Sequence, residues 1–258
     1  MIKIENTDVY GWEATIRGMR NPMNSHNKSD TKEVDIPDLP RLDYYGKIVE
    51  IVPAHKQIVA SFKENEWNGI GENDLALMKR LATAGNDHGK FMRMITVTCD
   101  IVAPLYWWKE FDTYKVGTVA NSCSTMHKIA DKEFTLDDFS CEHLDDKLIL
   151  GLEVNNSRTE DDLCITAKSL LGIIVSTLNC YRTEYLKTSD KLWWWQMIQL
   201  LPCSYNQRRT VQLNYAVLKN MYHARKKHKL DEWHNFCYWI EKLPYSELIT
   251  GEKENECK

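Results

Sequence analysis

The sequence predicts an α/β fold, helix-rich, with a mixed central sheet flanked by long helices. Three observations predict it. Residues 91–103 (FMRMITVTCDIVA) alternate in polarity and are rich in β-branched side chains, as a half-buried strand requires. Residues 161–185 and 190–200 carry apolar side chains at helical spacing over long runs. Residues 214–225 and 230–243 repeat that spacing as two further helices, the second bearing Trp233, Phe236, Trp239 and Ile240.

Taken in order, residues 9–19 (VYGWEATIRGM) read as a short strand turning into a helix with Arg17 and Arg20 near its end. The following RNPMNSHNKSD is dense in Asn, Ser, Asp and Pro, the chemistry of a loop. It is read as a solvated connection, with phosphate binding beside the two arginines as the alternative. Residues 31–69 are proline-punctuated and read as an insertion or lid holding a short strand or hairpin. In DLALMKRLATAG the residues Leu75, Met78, Leu81 and Ala82 fall on one helical face, with an Asn or Asp cap before them and Gly85 past the end.

Pro104 ends the strand, and residues 105–114 are expected as a helix. Thr135 ahead of Leu136, Asp137 and Asp138 has the form of a helix start. Residues 144–154 are expected as a helix interrupted by Gly151, and 207–213 as a strand or the approach to a helix. The helix 214–225 ends in a basic run, as a C-terminus favours. The whole is expected to form one domain over 1–249, with a flexible tail at 250–258.

Composition narrows the function classes. The 258 residues are 43% apolar and 27% charged, with a net charge of −4, so nothing favours nonspecific nucleic-acid binding. Eight scattered cysteines without a CxxC pair point to reduced thiols and not to a disulfide framework or a zinc site. The longest apolar run falls far short of the roughly 18–20 residues of a membrane span. The N-terminus lacks a targeting pattern, and the expected location is the cytoplasm. No GxGxxG, Walker A, HExxH or GxSxG occurs. His223, His228 and His234 are spaced by five and six residues, which puts them on no common helical face for a metal. Cys141 and His143 flank Glu142 without further ligands, and Cys123 lacks a defined base.

One stretch remains rich in binding chemistry: residues 100–129, DIVAPLYWWKEFDTYKVGTVANSCSTMHKI. Its end gathers Thr118, Asn121, Ser122, Ser124 and Thr125 near Lys115 and His127, a plausible anion- or nucleotide-binding surface. The same hydroxyls and amides are also the preferred caps for a helix over 125–134.

The order IGENDLALMKRLATAG, DHGKFMRMITVTCDIVAP and YWWKEFDTYKVGTVANSCSTMHKI resembles the core of the flavin-dependent thymidylate synthases. In that family a strand closes with Ala-Pro and a helix leads to the signature RHRxxSxNExSxRY. Ala103-Pro104 matches the strand end. With one residue inserted, Lys115 falls on the second Arg, and Asn121, Ser124 and His127 on the Asn, the second Ser and the Tyr. YGWEATIRGMRNP resembles the family's first strand and helix. LPCSYNQRRTVQLNYAVLKNMYHAR resembles a late segment, in which Asn214, Leu218 and Arg225 keep the family spacing. The resemblance covers about residues 8–30, 70–130 and 195–243.

The departures are concentrated in the arginines. Thr113 and Tyr114 replace the first Arg and His of the signature, Ser122 its Glu and Met126 its last Arg. Lys109-Glu110 replaces an Arg-Gln pair, Met92–Met94 with Arg93 replaces a flavin-contacting His, and Ala216 replaces the Arg of Asn-Ala-Arg. A Met or Thr cannot reproduce the bidentate grip of a guanidinium on phosphate.

The resemblance implies reductive methylation of dUMP or a related pyrimidine nucleotide. Methylenetetrahydrofolate would supply the carbon, and FAD reduced by NADPH the hydride. It implies Ser124, Arg225, Asn121 and His127 as nucleotide-binding residues, and Lys115, Arg93, Asn214 and Lys109 as cofactor-binding ones. It further implies a homotetramer with active sites between subunits. Rings such as Trp107 and Trp108 are available to stack on flavin or folate, with core packing the favoured reading of them. The alternatives are a nucleotide- or flavin-binding homologue without the synthase activity, and an oligomeric interaction protein.

Overall fold

A computed structural model describes residues 2–31, 39–42, 48–52, 69–147, 149–152 and 163–251. Its strands are β1 (Lys3–Tyr10), β2 (Leu39–Leu42), β3 (Ile48–Val52), β4 (Thr96–Pro104), β5 (Val119–Ser122), β6 (Ile149–Leu152), β7 (Leu163–Thr166) and β8 (Asn206–Asn214). Its helices are α1 (Trp12–Arg20), α2 (Glu72–Thr83), α3 (Leu105–Phe111), α4 (Thr125–Lys128), α5 (Ala167–Thr188), α6 (Lys191–Leu200), α7 (Tyr215–Arg225), α8 (Asp231–Glu241) and α9 (Glu247–Thr250). The main sheet has the order β1-β4-β8-β5, and two short hairpins pair β2 with β3 and β6 with β7. Backbone bonds from Leu105 to Tyr205 (3.0 Å) and from Tyr215 to Ile95 (3.1 Å) fix an antiparallel register between β4 and β8.

The chain forms two compact units. The first comprises Met1–Ile4, Asp100–Thr113 and Ala120–Thr210; the second comprises Glu5–Cys99, Tyr114–Val119 and Val211–Lys258.

The first unit is built on the α5–α6 helical hairpin. Thr166 caps α5 by accepting from the Ser169 amide, and Asp190 caps α6 by accepting from Leu192 at 2.9 Å. Leu171, Val175, Leu178 and Met197 from these helices bury against Ile129, Ala130, Phe134 and Phe139. Asn179 pins the facing loop, accepting from the Phe134 amide (2.8 Å) and donating to its carbonyl (2.9 Å). Leu178 is fully buried, so its truncation to Ala removes a side chain worth about 2–5 kcal/mol in such a site. Trp107 and Trp108 are buried with Phe111 in edge-on contacts, so their faces serve the core and not a ligand ring.

In the second unit β1 passes directly into α1 at Gly11, whose φ of +93° and close approach to the Met94 carbonyl exclude a side chain. Trp12 then buries edge-on to Tyr215 and Tyr245. Arg20 at the end of α1 forms a buried ion pair with Asp74 of α2, at 2.6 Å from both Nε and Nη2. Asp74 accepts further bonds from Ser29 (2.7 Å) and from the Thr31 hydroxyl (2.5 Å) and amide (3.1 Å). Trp233, Phe236 and Ile240 of α8 are fully buried. Lys219 of α7 donates to the Ala82 carbonyl in the last turn of α2 at 2.6 Å.

Several expectations need correction. Residues 149–152 form the strand β6 and not a helix; ILGL is a short apolar run whose periodicity cannot separate the two, and pairing with β7 decides it. The helix expected from 161 begins at Ala167, after β7. The strand expected from 91 begins at Thr96, preceded by a 3-10 turn over Gly89–Met94. The helix expected over 125–134 is only the single turn of α4. The cap of α2 is not Asn73 or Asp74. The Asp30 carboxylate, some forty residues earlier, accepts from the amides of Asn73 (2.9 Å) and Asp74 (3.1 Å). Most of the insertion read at 31–69, including IPDLPRLDYYG around β2 and the run through Pro53, lies outside the described residues, as does the tail beyond Gly251. Among the described residues no helix is long and apolar enough to cross a membrane.

Candidate functional site

The second unit holds a cleft of about 570 Å³ between the turn that follows α2 and the outer face of α7. Ala216, Lys219, Asn220 and His223 stand at i, i+3, i+4 and i+7 on α7 and therefore share one helical face. Val217, Leu218, Met221 and Tyr222 take the opposite face into the core. Across the cleft stand Asn86, Arg93 and the glycines at 85, 89 and 117. A smaller recess of about 210 Å³ shares Arg93, Gly117 and Asn214 and adds Thr118 and Gln212. No Asp or Glu is among the described residues lining either space.

Asn214 organises this region. Its Oδ1 accepts from the Val217 amide at 3.0 Å and caps α7, while its Nδ2 reaches the Gly117 carbonyl at 3.5 Å. Gly117 has φ of +81°, and a Cβ there would stand 2.5 Å from the Asn214 amide nitrogen. The backbone thus closes onto the cap only because residue 117 has no side chain.

Two of the basic groups in the cleft have lowered pKa values, and no described carboxylate lines it. Burial lowers the Lys219 pKa below its ordinary value. Burial, then repulsion by Lys219 and Lys226, lowers His223, against a hydrogen bond with the Ile249 backbone. Arg93 is exposed and lines both spaces.

The sequence-derived site residues divide between the units. Arg93, Lys115, Asn214 and Arg225 belong to the second; Lys109, Asn121, Ser124 and His127 belong to the first. Arg93 and Asn214 meet in the cleft, whereas Lys115 is exposed beside it and lines neither space. Arg225 is half-buried; its Nε donates to the Tyr114 hydroxyl at 2.9 Å, and its guanidinium lies 4.8 Å from the Trp233 ring centroid. Tyr114 therefore holds the Arg225 side chain in place.

In the first unit Asn121 is exposed on β5, and Ser124 caps α4 by accepting from the His127 amide at 3.4 Å. Lys109 reaches the Cys203 thiol at 3.7 Å. The neighbouring β8 arginines, which sequence reasoning did not single out, are matched to carboxylates. Arg208 pairs with Asp100 at 2.8 Å. Arg209 pairs with Asp112 at 2.8 Å and lies 4.2 Å over the Trp108 ring. The residues missed in the cleft are Asn86, Lys219, Asn220 and His223. The acid-free helical stripe 216/219/220/223 was the signal that could have found three of them.

The architecture is that of the flavin-dependent thymidylate synthases and their relatives that methylate uridylates. It matches a solved flavin-dependent thymidylate synthase, ThyX from Helicobacter pylori, complexed with FAD and dUMP, over 95% of this chain and 96% of that one, with a TM-score of 0.58 at 12% identity. It also matches PolB, a UMP/dUMP methylase from Streptomyces cacaoi bound with 5-Br dUMP, over 97% and 95% of the two chains, with a TM-score of 0.53 at 13% identity. At these identities the likeness is one of fold. No protein-family model matches the chain, and no curated protein matches it in sequence.

The donor set fits a phosphate-bearing group such as the diphosphate of FAD. It offers a guanidinium, an ammonium, an imidazole and three carboxamides, and no described carboxylate repels an anion.

Proposed function

We propose that the protein is a divergent, cytoplasmic, homotetrameric enzyme of the flavin-dependent thymidylate synthase type, which reductively methylates dUMP or a related pyrimidine nucleotide. The observation that supports this reading is a cation-bearing cleft, with no acid among its described lining, on a fold whose solved examples hold FAD, dUMP and a brominated dUMP. FAD supplies hydride chemistry when bound, with NADPH as its reductant and methylenetetrahydrofolate as the carbon source. The chain's own contribution is binding and electrostatics. In the second unit Arg225, already oriented by Tyr114 and Trp233, takes a nucleotide phosphate. Arg93 and Lys115 neutralise flavin or substrate phosphate, and Asn214 orders the cleft wall. In the first unit Ser124, Asn121 and His127 offer the hydroxyl, amide and imidazole groups that hydrogen-bond a pyrimidine or its ribose, and Lys109 adds a cation.

A second reading has a specific observation behind it. Ala216, Thr113 and Tyr114 remove arginines and a histidine of the family signature, which favours a nucleotide- or flavin-binding homologue without the synthase chemistry. The absorption spectrum of the purified protein, followed by NADPH oxidation with dUMP and methylenetetrahydrofolate, separates the readings. Flavin bands with dUMP-dependent oxidation support the enzyme, and flavin bands without turnover support the binding homologue. A colourless protein that cannot be loaded with FAD overturns the proposal. A strictly monomeric mass by light scattering overturns the tetramer.

A further inference from the structure

We infer that Lys219 and His223, with Arg93 opposite, form an anion grip for a phosphate or diphosphate group, supplying from one turn further along α7 the charge that Ala216 does not provide. This rests on the proposed flavin and nucleotide binding for its natural ligand, and on the geometry alone for its anion chemistry.

Four features carry it. Ala216, Lys219 and His223 share a helical face, so a cation at 219 or 223 lies about 5–10 Å along the axis from position 216 and opens onto the same space. The cleft has no described Asp or Glu in its lining, so charge gathered there is not already spent on an internal ion pair. His223 lines the cleft, and its imidazole donates from both ring nitrogens when protonated. Lys219 is anchored at the Ala82 carbonyl, which fixes its ammonium at the cleft wall and leaves two of its three protons for a ligand. Asn86, Asn214 and Asn220 add amide donors around the cations.

The set recognises phosphate oxygens, whose source is either the diphosphate of a dinucleotide such as FAD or the monophosphate of a nucleotide. Calorimetric titration of the full chain with inorganic pyrophosphate, FAD, riboflavin and dUMP distinguishes them. The variants are His223→Gln, Arg93→Gln and Lys219→Met, with Lys187→Met on α5 as the control cation. The wild type should bind pyrophosphate; Arg93→Gln should weaken it by about tenfold, the loss expected for one charge-assisted contact, and His223→Gln should weaken it increasingly as the pH falls and the wild-type imidazole gains its proton. Riboflavin, which lacks phosphate, should be unaffected. Parallel weakening of FAD assigns the grip to the diphosphate, and parallel weakening of dUMP assigns it to the monophosphate. Lys219→Met also loses the anchor on α2, so the two other variants carry the test if it unfolds. Pyrophosphate affinity unchanged in both, or absent in the wild type, overturns the inference. FAD and dUMP binding that both persist unchanged in the variants overturn the grip and leave the proposed function standing. Pyrophosphate binding lost in the variants of a protein that takes neither FAD nor dUMP leaves the grip standing and removes that function.

Discussion

The surface of the first unit and the cleft of the second treat their cations in opposite ways. On the first, Arg208 and Arg209 each lie 2.8 Å from a carboxylate, Arg209 also covers Trp108, and Lys128, Lys132 and Lys168 each pair with an aspartate. In the cleft of the second, Arg93, Lys219 and His223 face one another with amides and glycines between them and no described acid. Charge that is matched within the protein contributes locally and modestly to stability. Charge assembled without a partner costs stability through repulsion and desolvation, and such a cost is characteristic of binding sites. The lesson is that the number of basic residues says little; their accounting against acids says where an anion goes.

The largest expected effect comes from turning a matched cation into an unmatched one. Asp74→Ala leaves the Arg20 guanidinium buried without its counter-ion, a loss of about 3–5 kcal/mol read as a lower urea midpoint. The wild-type pair also sets a pH dependence. Desolvation pushes the Asp74 carboxyl up, but hydrogen bonds from Thr31, Ser29 and Arg20 outweigh it and hold the group below its ordinary value. A depressed folded pKa contributes stability above the unfolded value that is lost as pH falls through the folded one. Melting should therefore hold steady to about pH 5 and decline below about pH 4, and Asp74→Ala should lack that component of the decline.

Next, Arg225→Ala should cost dUMP affinity about tenfold to a hundredfold by calorimetry, as removal of a charge-assisted contact does; an unchanged affinity would remove Arg225 from the site. Tyr114→Phe, which keeps the ring and deletes the hydroxyl, should show a smaller loss in the same measurement. Arg209→Met tests the matched side: it should lower stability by roughly 1 kcal/mol and leave pyrophosphate binding untouched. The smallest effect belongs to Ser124→Ala. It removes the cap of a single-turn helix, so a change of a few tenths of a kcal/mol is expected in the melt. A large loss of dUMP affinity in that folded variant would show that Ser124 meets the ligand.

Local signals were the legible ones. The periodicity of α2, the strand ending at Pro104 and the capping box at Thr135 are all written within a few residues, and the structure has them. The order of motifs also disclosed the architecture. What stayed hidden is nonlocal. The Asp30 cap of α2 has no spacing to read, and ILGL becomes a strand only through its partner. In the sequence the chemical kin of His223 are His228 and His234, with which it shares no helical face. Its working neighbours are Lys219 and Arg93, the latter 130 residues away in the chain and on another element. An unmatched charge is visible only when the acids that could have matched it are placed.

Gly117 shows how narrow the tolerance around such a cleft is. A methyl group at 117 would press on the Asn214 amide that starts α7, and α7 is the rod on which Lys219 and His223 are mounted. A single added carbon in one loop would thus change the bearing of side chains about one and two turns into a helix about a hundred residues later. In engineering terms, residue 117 is the alignment screw of the cleft: a position at which affinity can be detuned while every cation of the site is kept.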